Sequence, residues 1–150
     1  MDTLVDKGVM HGGTYNGTPL SVAAAIATID FLADNAATVY PHMQALGEQL
    51  AEGLRALATK YTIPLVVNQI GSVLQLMWDP HLPVRAFADA DAADPAPLAA
   101  IGELALAGGV YAAPRGLMFL STAHTGDDVH HVLGAYDVAI GTYLAQADIG

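Results

Sequence analysis

The sequence predicts an α+β fold in which two helices precede a unit of short strands and helices. Helical hydrophobic patterns fill most of residues 20–61, and from Ile63 onward short β-rich runs alternate with further helical patterns. Hydrophobic residues make up 53% of the 150 residues and charged residues 13%. That composition supplies a packed core and excludes a disordered chain, which needs low hydrophobicity and high net charge.

The first predicted helix covers Leu20–Leu32 and follows a glycine-rich turn at residues 12–18. Thr18 stands at its N-cap, and Pro19 suits the first helical position because its missing N–H is not needed there. Residues 34–35 are expected to end the helix. Because its side chains are apolar nearly all round, we expect it to lie in an interior with close neighbours.

A second, longer helix is predicted over Thr38–Tyr61, with Pro41 in its first turn, where proline is tolerated. Its apolar residues recur at spacings of three and four: Val39, Met43, Leu46, Leu50, Leu54, Leu57 and Tyr61. A helix of this length that has apolar residues on one side only, and that follows a buried helix, indicates a connector between two packed regions.

The remaining residues predict short strands, one loop and two more helices. The strands are placed at 65–67, 73–78, 110–112 and 117–121, the loop at 79–97, a helix from Asp94-Pro95 to Gly108-Gly109, and a last helix after Thr125-Gly126-Asp127-Asp128. The last helix carries an apolar stripe of Val129, Val132, Leu133, Tyr136, Ile140 and Tyr143.

The charge balance excludes several kinds of partner. Asp and Glu outnumber Lys and Arg by 15 to 5, and the basic residues are scattered singly, so neither a nucleic acid nor an anionic membrane surface is an expected partner. The most apolar stretch, Leu20–Ala33, is shorter than the roughly 20 residues of a membrane span, and the N-terminus lacks a signal-peptide pattern. We therefore expect a cytoplasmic protein. The absence of cysteine excludes disulfides, zinc–thiolate sites and a cysteine nucleophile.

The glycine-rich turn at residues 12–18 is the strongest candidate for a ligand site. Backbone amides at a helix N-terminus lack partners, and the helix dipole places partial positive charge there. Gly13 and the hydroxyl of Thr14 can therefore contact a phosphate. The turn matches neither the Walker loop nor the dinucleotide-binding fingerprint. The alternative is a tight turn that only begins a helix.

The other candidate residues give weaker signals. His124, His130 and His131 lie close to two aspartates, but their spacing forms no single ligand face, so no metal site is predicted. Arg115 can bind a carboxylate through its planar guanidinium or can be a solvated turn residue. No serine has the setting of a nucleophile. The residues alone therefore predict no catalytic group.

Several segments together resemble the class III pyridoxal-phosphate-dependent aminotransferases, in particular the glutamate-1-semialdehyde 2,1-aminomutase subgroup. They are His-Gly-Gly-Thr-Tyr-Asn-Gly-Thr-Pro-Leu at 11–20, Leu-Gly-Glu-Gln-Leu at 46–50, Gly-Val-Tyr at 109–111 and Phe-Leu-Ser-Thr-Ala-His-Thr at 119–125. These landmarks follow the family order and, with the last helix, span about residues 1–147. Thr18 departs from the family pattern, which usually has Asn before the proline.

The resemblance implies the C-terminal part of a fold-type-I transferase with three regions. Residues 1–36 are the remnant of a large domain, 37–62 a connector helix and 63–150 a small α+β domain. It also implies that Gly13 and Thr14 contact the phosphate of pyridoxal 5′-phosphate (PLP), commonly of the cofactor held by the other subunit of a dimer.

The family's Schiff-base lysine has no counterpart here, since Lys7 and Lys60 are the only lysines and neither matches its position. The expected protein is the C-terminal segment of an aminotransferase or aminomutase, inactive alone. Its expected partners are a second copy or the missing N-terminal part of the same enzyme, and a small-molecule amino donor and acceptor. Two alternatives stay open: a non-catalytic interaction or regulatory module that kept the small domain and one phosphate-binding turn, and an unrelated acidic α+β binding domain.

Overall fold

The computed structural model of the chain describes residues 12–78 and 84–147. In chain order the elements are α1 (Pro19–Asp34), α2 (Ala36–Tyr61), β1 (Leu65–Ile70), β2 (Val73–Trp78), α3 (Phe87–Asp91), α4 (Ala96–Ala107), β3 (Leu117–Phe119) and α5 (Gly126–Ala147). The chain divides into two compact units: the first ends at Ala37 and the second begins at Thr38.

Helix α1, in the first unit, confirms the predicted helix and extends it by one residue at the start and two at the end. Pro19 begins it, and Asn35 ends it by donating both its amide and its side-chain N–H to the carbonyl of Phe31, at 3.1 and 2.8 Å. No residue of α1 is buried. The sequence predicted an interior helix, but the described residues of this unit, 12–37, contain no second layer against which α1 could pack.

Helix α2 begins at Ala36, two residues earlier than predicted. Pro41 therefore lies in its second turn instead of its first. The apolar stripe is confirmed, because Val39, Leu46, Leu50 and Leu54 are buried. Within residues 12–78 and 84–147, no single helix is long and apolar enough to cross a membrane, and only α1 and α2 counted together reach that criterion.

The three strands form one antiparallel sheet in the order β1-β2-β3. A two-residue turn, Gly71-Ser72, joins β1 to β2, and the positive φ of Gly71 (55°) suits the first position of such a hairpin turn. One face of the sheet carries the buried side chains Leu65, Val67, Leu74, Leu76 and Met118.

The predicted strand at 110–112 is wrong, and β3 is shorter than the predicted 117–121. The amide of Val110 donates to the carbonyl of Ala105 at 3.1 Å, so it closes the end of α4 instead of joining the sheet. Only residues 117–119 lie opposite β2 in the ladder.

The predicted loop at 79–97 contains the short helix α3. The carboxylate of Asp89 accepts hydrogen bonds from the amides of residues 85 and 86, both at 2.8 Å, and so satisfies the start of that helix. The N-cap of α4 is Pro95, one residue later than predicted, and Asp94 before it accepts from the amide of Ala96 at 2.9 Å.

The core of the second unit draws on α2, the sheet, α4 and α5. Its largest fully buried side chains are Leu50, Leu54, Leu74, Leu76, Ile101, Val129 and Ile140. Helix α2 therefore packs as part of this unit. The finer division into regions 1–36, 37–62 and 63–150 stays a prediction.

Candidate functional site

The glycine-rich turn is described from Gly12 and is open to solvent as far as Gly17. Two backbone hydrogen bonds shape it: the amide of Asn16 donates to Gly13 at 3.0 Å, and the amide of Thr18 donates to Tyr15 at 3.4 Å. The segment therefore consists of two successive bends and ends where α1 begins, at Pro19. His11, the first residue of the family-like segment, lies outside the described residues.

The predicted phosphate-binding residues Gly13 and Thr14 sit at the head of this turn. Within the described part of the chain, their amides donate to no backbone carbonyl, and the hydroxyl of Thr14 makes no hydrogen bond. A Cβ at Gly13 would come within 3.0 Å of the Asn16 amide oxygen, so a larger residue there would crowd the bend. Amides and a hydroxyl before a helix N-terminus have the chemistry that binds phosphate.

Helix α1 begins without a side-chain cap. Thr18 occupies the predicted N-cap position, but its hydroxyl donates to the hydroxyl of Ser21 at 2.8 Å and caps no backbone amide. Its carbonyl accepts from the amide of Val22 at 3.0 Å, the first bond of the helix. The amides of the first helical turn therefore lack the side-chain partner that a capping threonine normally supplies.

Arg115, the predicted carboxylate-binding residue, lies in a tight turn of the second unit. Gly116 closes this turn by donating to Ala113 at 2.8 Å, and the side chain of Gln75 holds the Arg115 carbonyl at 2.5 Å. The guanidinium is exposed and has no hydrogen-bond or ion-pair partner among the described residues. Gly13 and Thr14 lie in the first unit, whereas Arg115 lies in the second.

A cavity of about 250 Å³ opens beside β3 and the start of α5, and the sequence did not predict it. Apolar residues line most of it, and His124 and Asp128 contribute polar atoms; the apolar lining residues include Leu50, Val110, Met118, Leu120, Val129 and Val132. The only sequence feature that pointed to this cavity is the position of His124 shortly after the β-rich run at 117–121. The enclosing contacts come from α2, β3 and α5, which are distant in the chain.

His124 organises the loop between β3 and α5. Its Nδ1 lies 3.0 Å from both the amide and the hydroxyl of Ser121. His42 of α2 lies with its Nε2 3.2 Å from the His124 carbonyl oxygen. The loop is thereby tied both to itself and to α2.

Asp128 completes the predicted capping box at the start of α5. Its carboxylate accepts from the Thr125 hydroxyl at 2.8 Å and from the Thr125 amide at 2.7 Å. These hydrogen bonds lower the pKa of Asp128 below its ordinary value of 3.8. The capping box fixes the residue at which α5 begins, and Asp128 also lines the cavity.

The histidines do not form a metal site in the described part of the chain. His130 Nε2 lies 3.3 Å from the side-chain nitrogen of Gln49 in α2, while His131 Nε2 would lie 3.7 Å from a Cβ added at Gly109, after the end of α4. Among residues 12–78 and 84–147, no group of three or more His, Asp or Glu side chains could hold a metal ion.

Lys60 is paired. Its ammonium donates to both carboxylate oxygens of Asp137, at 2.6 and 2.9 Å, and lies 4.8 Å from the centre of the Tyr61 ring. The hydrogen bond to Asp137 raises the pKa of Lys60 above its ordinary value of 10.5 and lowers that of Asp137. Lys60 is therefore charged at neutral pH. Lys7 lies outside the described residues.

No family model matches the chain. Curated proteins, however, match nearly all of it. The glutamate-1-semialdehyde 2,1-aminomutase of Anaeromyxobacter dehalogenans is 34% identical over 142 residues, which cover 93% of this chain and 32% of that enzyme. The same enzyme of Opitutus terrae is 38% identical over 129 residues, covering 84% of this chain and 30% of its own.

Solved structures give the same match. A transaminase with PLP bound superposes with a TM-score of 0.76 at 23% identity, over 93% of this chain and 31% of its own. A glutamate-1-semialdehyde aminomutase from Pseudomonas aeruginosa PAO1, in complex with PMP, gives a TM-score of 0.71 at 27% identity, over 87% of this chain and 28% of its own. This chain matches the C-terminal portion of a class III pyridoxal-phosphate-dependent aminotransferase.

The aminotransferase match confirms the predicted fold class and the predicted resemblance. The chain spans about a third of the length of the curated relatives it matches. The roles of Gly13, Thr14 and Arg115 stay predictions.

Proposed function

We propose that this chain forms the C-terminal third of a PLP-dependent aminotransferase or glutamate-1-semialdehyde 2,1-aminomutase. The enzyme would transfer an amino group between a small amine or amino acid and a carbonyl compound, or within one molecule. One observation carries the proposal: the similarity to the Anaeromyxobacter dehalogenans aminomutase extends over 93% of the chain. The glycine-rich turn adds support, because the amides of Gly13 and Thr14 donate to no backbone carbonyl among the described residues.

Gly13 and Thr14 would hold the phosphate of PLP. The exposed hydroxyl of Thr14 and the two amides are hydrogen-bond donors to an anion, and the N-terminal end of α1 adds partial positive charge. When bound, PLP supplies the electron sink for amino-group transfer. In a dimer these residues would reach the cofactor of the other subunit.

Arg115 would bind a carboxylate of the substrate. Its guanidinium is exposed and unpaired among the described residues, and its backbone is fixed on both sides by Gln75 and by the closing bond of Gly116. A planar guanidinium offers two parallel donors to a carboxylate, which suits an amino acid or a keto acid.

The chain would be inactive alone, because the resemblance gives neither of its two lysines, Lys7 and Lys60, the position of the family's Schiff-base lysine. A lysine that attacks the cofactor must lose its proton. Lys60 is held in the charged form by Asp137 at 2.6 Å, which opposes that role. The remaining two thirds of the enzyme would supply the catalytic lysine, and the assembly would be a cytoplasmic homodimer.

The test is an absorbance titration of the purified chain with PLP, repeated after borohydride reduction. Thr14→Ala is expected to weaken saturable binding roughly tenfold, the loss of about one charge-assisted hydrogen bond. Thr14→Ser keeps the hydroxyl and should retain binding. Thr122→Ala, an exposed threonine of the second unit, is the matched control and should change nothing.

The outcomes separate the parts of the proposal. Saturable binding that depends on Thr14, without a reducible adduct, supports both the phosphate contact and inactivity alone. A reducible adduct that Lys60→Arg or Lys7→Arg abolishes contradicts the inactivity. No saturable binding, or equal binding by Thr14→Ala, contradicts the phosphate contact.

A second candidate is a non-catalytic interaction or regulatory module. The second unit favours it, since this unit has a core of its own with Leu50, Leu54 and Ile140 at 2%, 0% and 1% exposure. Upstream DNA that encodes no lysine-bearing segment in frame with this chain would be the result that this alternative requires.

A further inference from the structure

The cavity beside β3 and the start of α5 has an apolar base and a polar mouth. Leu50 and Val129 at its base are 2% and 1% exposed, whereas His124 at its mouth is half-buried and Asp128 is exposed. Its volume of about 250 Å³ lies slightly below the roughly 300–1,000 Å³ of pockets for drug-sized ligands. The cavity therefore suits a small, mainly apolar molecule with one polar end.

The imidazole of His124 supplies a hydrogen-bond donor at this mouth. Its Nδ1 accepts from the amide of Ser121 at 3.0 Å, so Nδ1 carries no proton. In a neutral imidazole the proton then lies on Nε2, which becomes a donor. Nε2 has no hydrogen-bond partner among the described residues, and Ser121, which contacts the Nδ1 side of the ring, does not line the cavity.

The carboxylate of Asp128 supplies an acceptor close to that donor. Both capping bonds from Thr125 reach Oδ2, at 2.7 and 2.8 Å, and no described residue donates to Oδ1. Besides these bonds from Thr125, the charge of His124 contributes to the lowered pKa of Asp128, so the two side chains are near each other. The mouth of the cavity therefore combines one donor with one acceptor.

This pair of groups favours a neutral hydroxyl over a charged end. A hydroxyl can accept from His124 Nε2 and donate to Asp128 Oδ1 at the same time. A carboxylate would be repelled by Asp128 and by a chain that has 15 acidic against 5 basic residues. An ammonium would face the Nε2–H of His124 and the partial positive charge at the start of α5.

We propose that this cavity binds a small neutral alcohol or phenol, with its hydroxyl between His124 and Asp128 and its apolar body against Leu50 and Val129. The site lies wholly within the second unit. It includes none of the residues predicted to bind the PLP phosphate or a substrate carboxylate, so it does not depend on the proposed function.

The test is a titration of the purified chain with para-cresol, followed by two-dimensional amide NMR. Saturable shifts are expected at amides around the cavity, among them those of Leu120 and Val129. Three probes of similar size test the hydroxyl: para-cresyl methyl ether lacks the O–H, para-toluate is an anion and para-methylbenzylamine is a cation. Each is expected to bind at least about tenfold more weakly, the effect of losing one charge-assisted hydrogen bond.

Two substitutions at the mouth test the donor and the acceptor separately. His124→Asn keeps an acceptor for the Ser121 amide but removes the Nε2–H, and Asp128→Asn keeps a capping acceptor but removes the charge. Each should weaken the binding of para-cresol roughly tenfold. His130→Asn and Asp127→Asn are the matched controls and should change nothing, because both residues are exposed and neither lines the cavity.

A larger side chain tests the cavity itself. Val132→Phe should fill it and abolish saturable binding. Val138→Phe should preserve binding, because Val138 is 71% exposed and lies outside the cavity. The thermal unfolding of every variant is measured without ligand, so that a folding defect is recognised. The comparison of para-cresol with its methyl ether needs no variant and decides the role of the hydroxyl even where a variant unfolds.

Several results would overturn the proposal. Equal binding of para-cresol and its methyl ether would show that the cavity has no preference for a hydroxyl, and tighter binding of para-toluate or para-methylbenzylamine would assign the site to an ion. Unsaturated shifts, shifts away from the cavity, or full binding by His124→Asn, Asp128→Asn or Val132→Phe would remove the site. The PLP titration depends on Thr14 in the first unit, so either experiment can fail while the other succeeds.

Discussion

The two units of this chain place similar side chains in opposite environments. In the first unit, Leu20 and Ile29 of α1 are 83% and 64% exposed. In the second, Leu54 of α2 and Ile140 of α5 are 0% and 1% exposed. All four are large aliphatic residues on helices, so side-chain hydrophobicity alone does not decide which of them is buried.

The difference lies in the number of layers. Helix α2 packs with the sheet, α4 and α5 in one core, whereas the described residues of the first unit form α1, the turn before it and the first two residues of α2. Burial requires a second apolar surface at contact distance, and a single helix does not provide one. Burial in this chain is therefore a property of the assembled layers and not of a segment's sequence.

The largest expected effect is a difference in the free energy of unfolding between two variants, one at a core leucine and one at an exposed isoleucine. Leu54→Ala should lower the free energy of unfolding by about 3 kcal/mol, because it removes fully buried methyl groups and leaves a cavity. Ile29→Ala should change it by less than about 0.5 kcal/mol. Urea unfolding followed by tryptophan fluorescence measures both, since the one tryptophan, Trp78, lies in the second unit and packs edge-on against Tyr143.

Val138→Ala is the control for the removal of apolar atoms from a second-unit helix, because Val138 is 71% exposed. It should behave like Ile29→Ala. Equal losses of stability for Leu54→Ala and Ile29→Ala would contradict the distinction between the two units.

A smaller effect compares two glycines with nearly the same backbone. Gly116 and Gly17 have φ values of 75° and 72°, both in the left-handed region. A Cβ at Gly116 would lie 2.5 Å from the Leu76 carbonyl oxygen, whereas at Gly17 nothing of the described chain lies within 4 Å. Gly116→Ala should therefore cost about 2 kcal/mol, from strain and overlap together.

Gly17→Ala should leave the tryptophan transition unchanged, because its strain is confined to the turn before α1. Urea unfolding of the two variants, followed by Trp78 fluorescence, checks this difference. A loss of stability for Gly17→Ala as large as that for Gly116→Ala would show that the first unit is coupled to the core.

Features set by neighbouring residues could be predicted from the sequence. Pro19 at the start of α1 and the Thr125–Asp128 capping box act over a few residues, and the structure confirms both of them. The predicted cap of α4 is off by one residue, since Pro95 and not Asp94 is the N-cap. The glycine-rich turn is local in the same sense. Its residues Gly13 and Thr14 could be named in advance because both lie within one bend.

Features set by distant residues could not be predicted. The β-rich run at 110–112 depends on whether an edge strand is free, and Val110 instead closes α4. The cavity beside β3 requires α2 and α5 to meet, and the pairing of Lys60 with Asp137 joins residues far apart in the chain. The exposure of α1 likewise depends on what packs against it, which its own pattern does not specify.

The smallest expected effect compares the starts of two helices. Thr125→Ala removes the hydroxyl that bonds Asp128 and should lower the Tm of the second unit by about 4 °C. Thr18→Ala should leave the far-ultraviolet circular dichroism of α1 unchanged, because the Thr18 side chain caps no backbone amide. A loss of helicity in Thr18→Ala would show that its bond to Ser21 holds the helix start.

The pH dependence of the Tm tests the contribution of the Asp128 carboxylate to the same capping box. Because hydrogen bonds from Thr125 lower the pKa of Asp128 in the folded chain, its contribution to stability is present above the ordinary value of 3.8. It is lost as the pH falls through the lowered value. The Tm difference between the unsubstituted chain and Thr125→Ala should therefore be constant from neutral pH to pH 5 and shrink in strong acid. A difference that stays constant to the acid limit would mean that the Thr125 hydroxyl stabilises α5 by accepting from the Asp128 amide, at 3.3 Å, and not by donating to the Asp128 carboxylate.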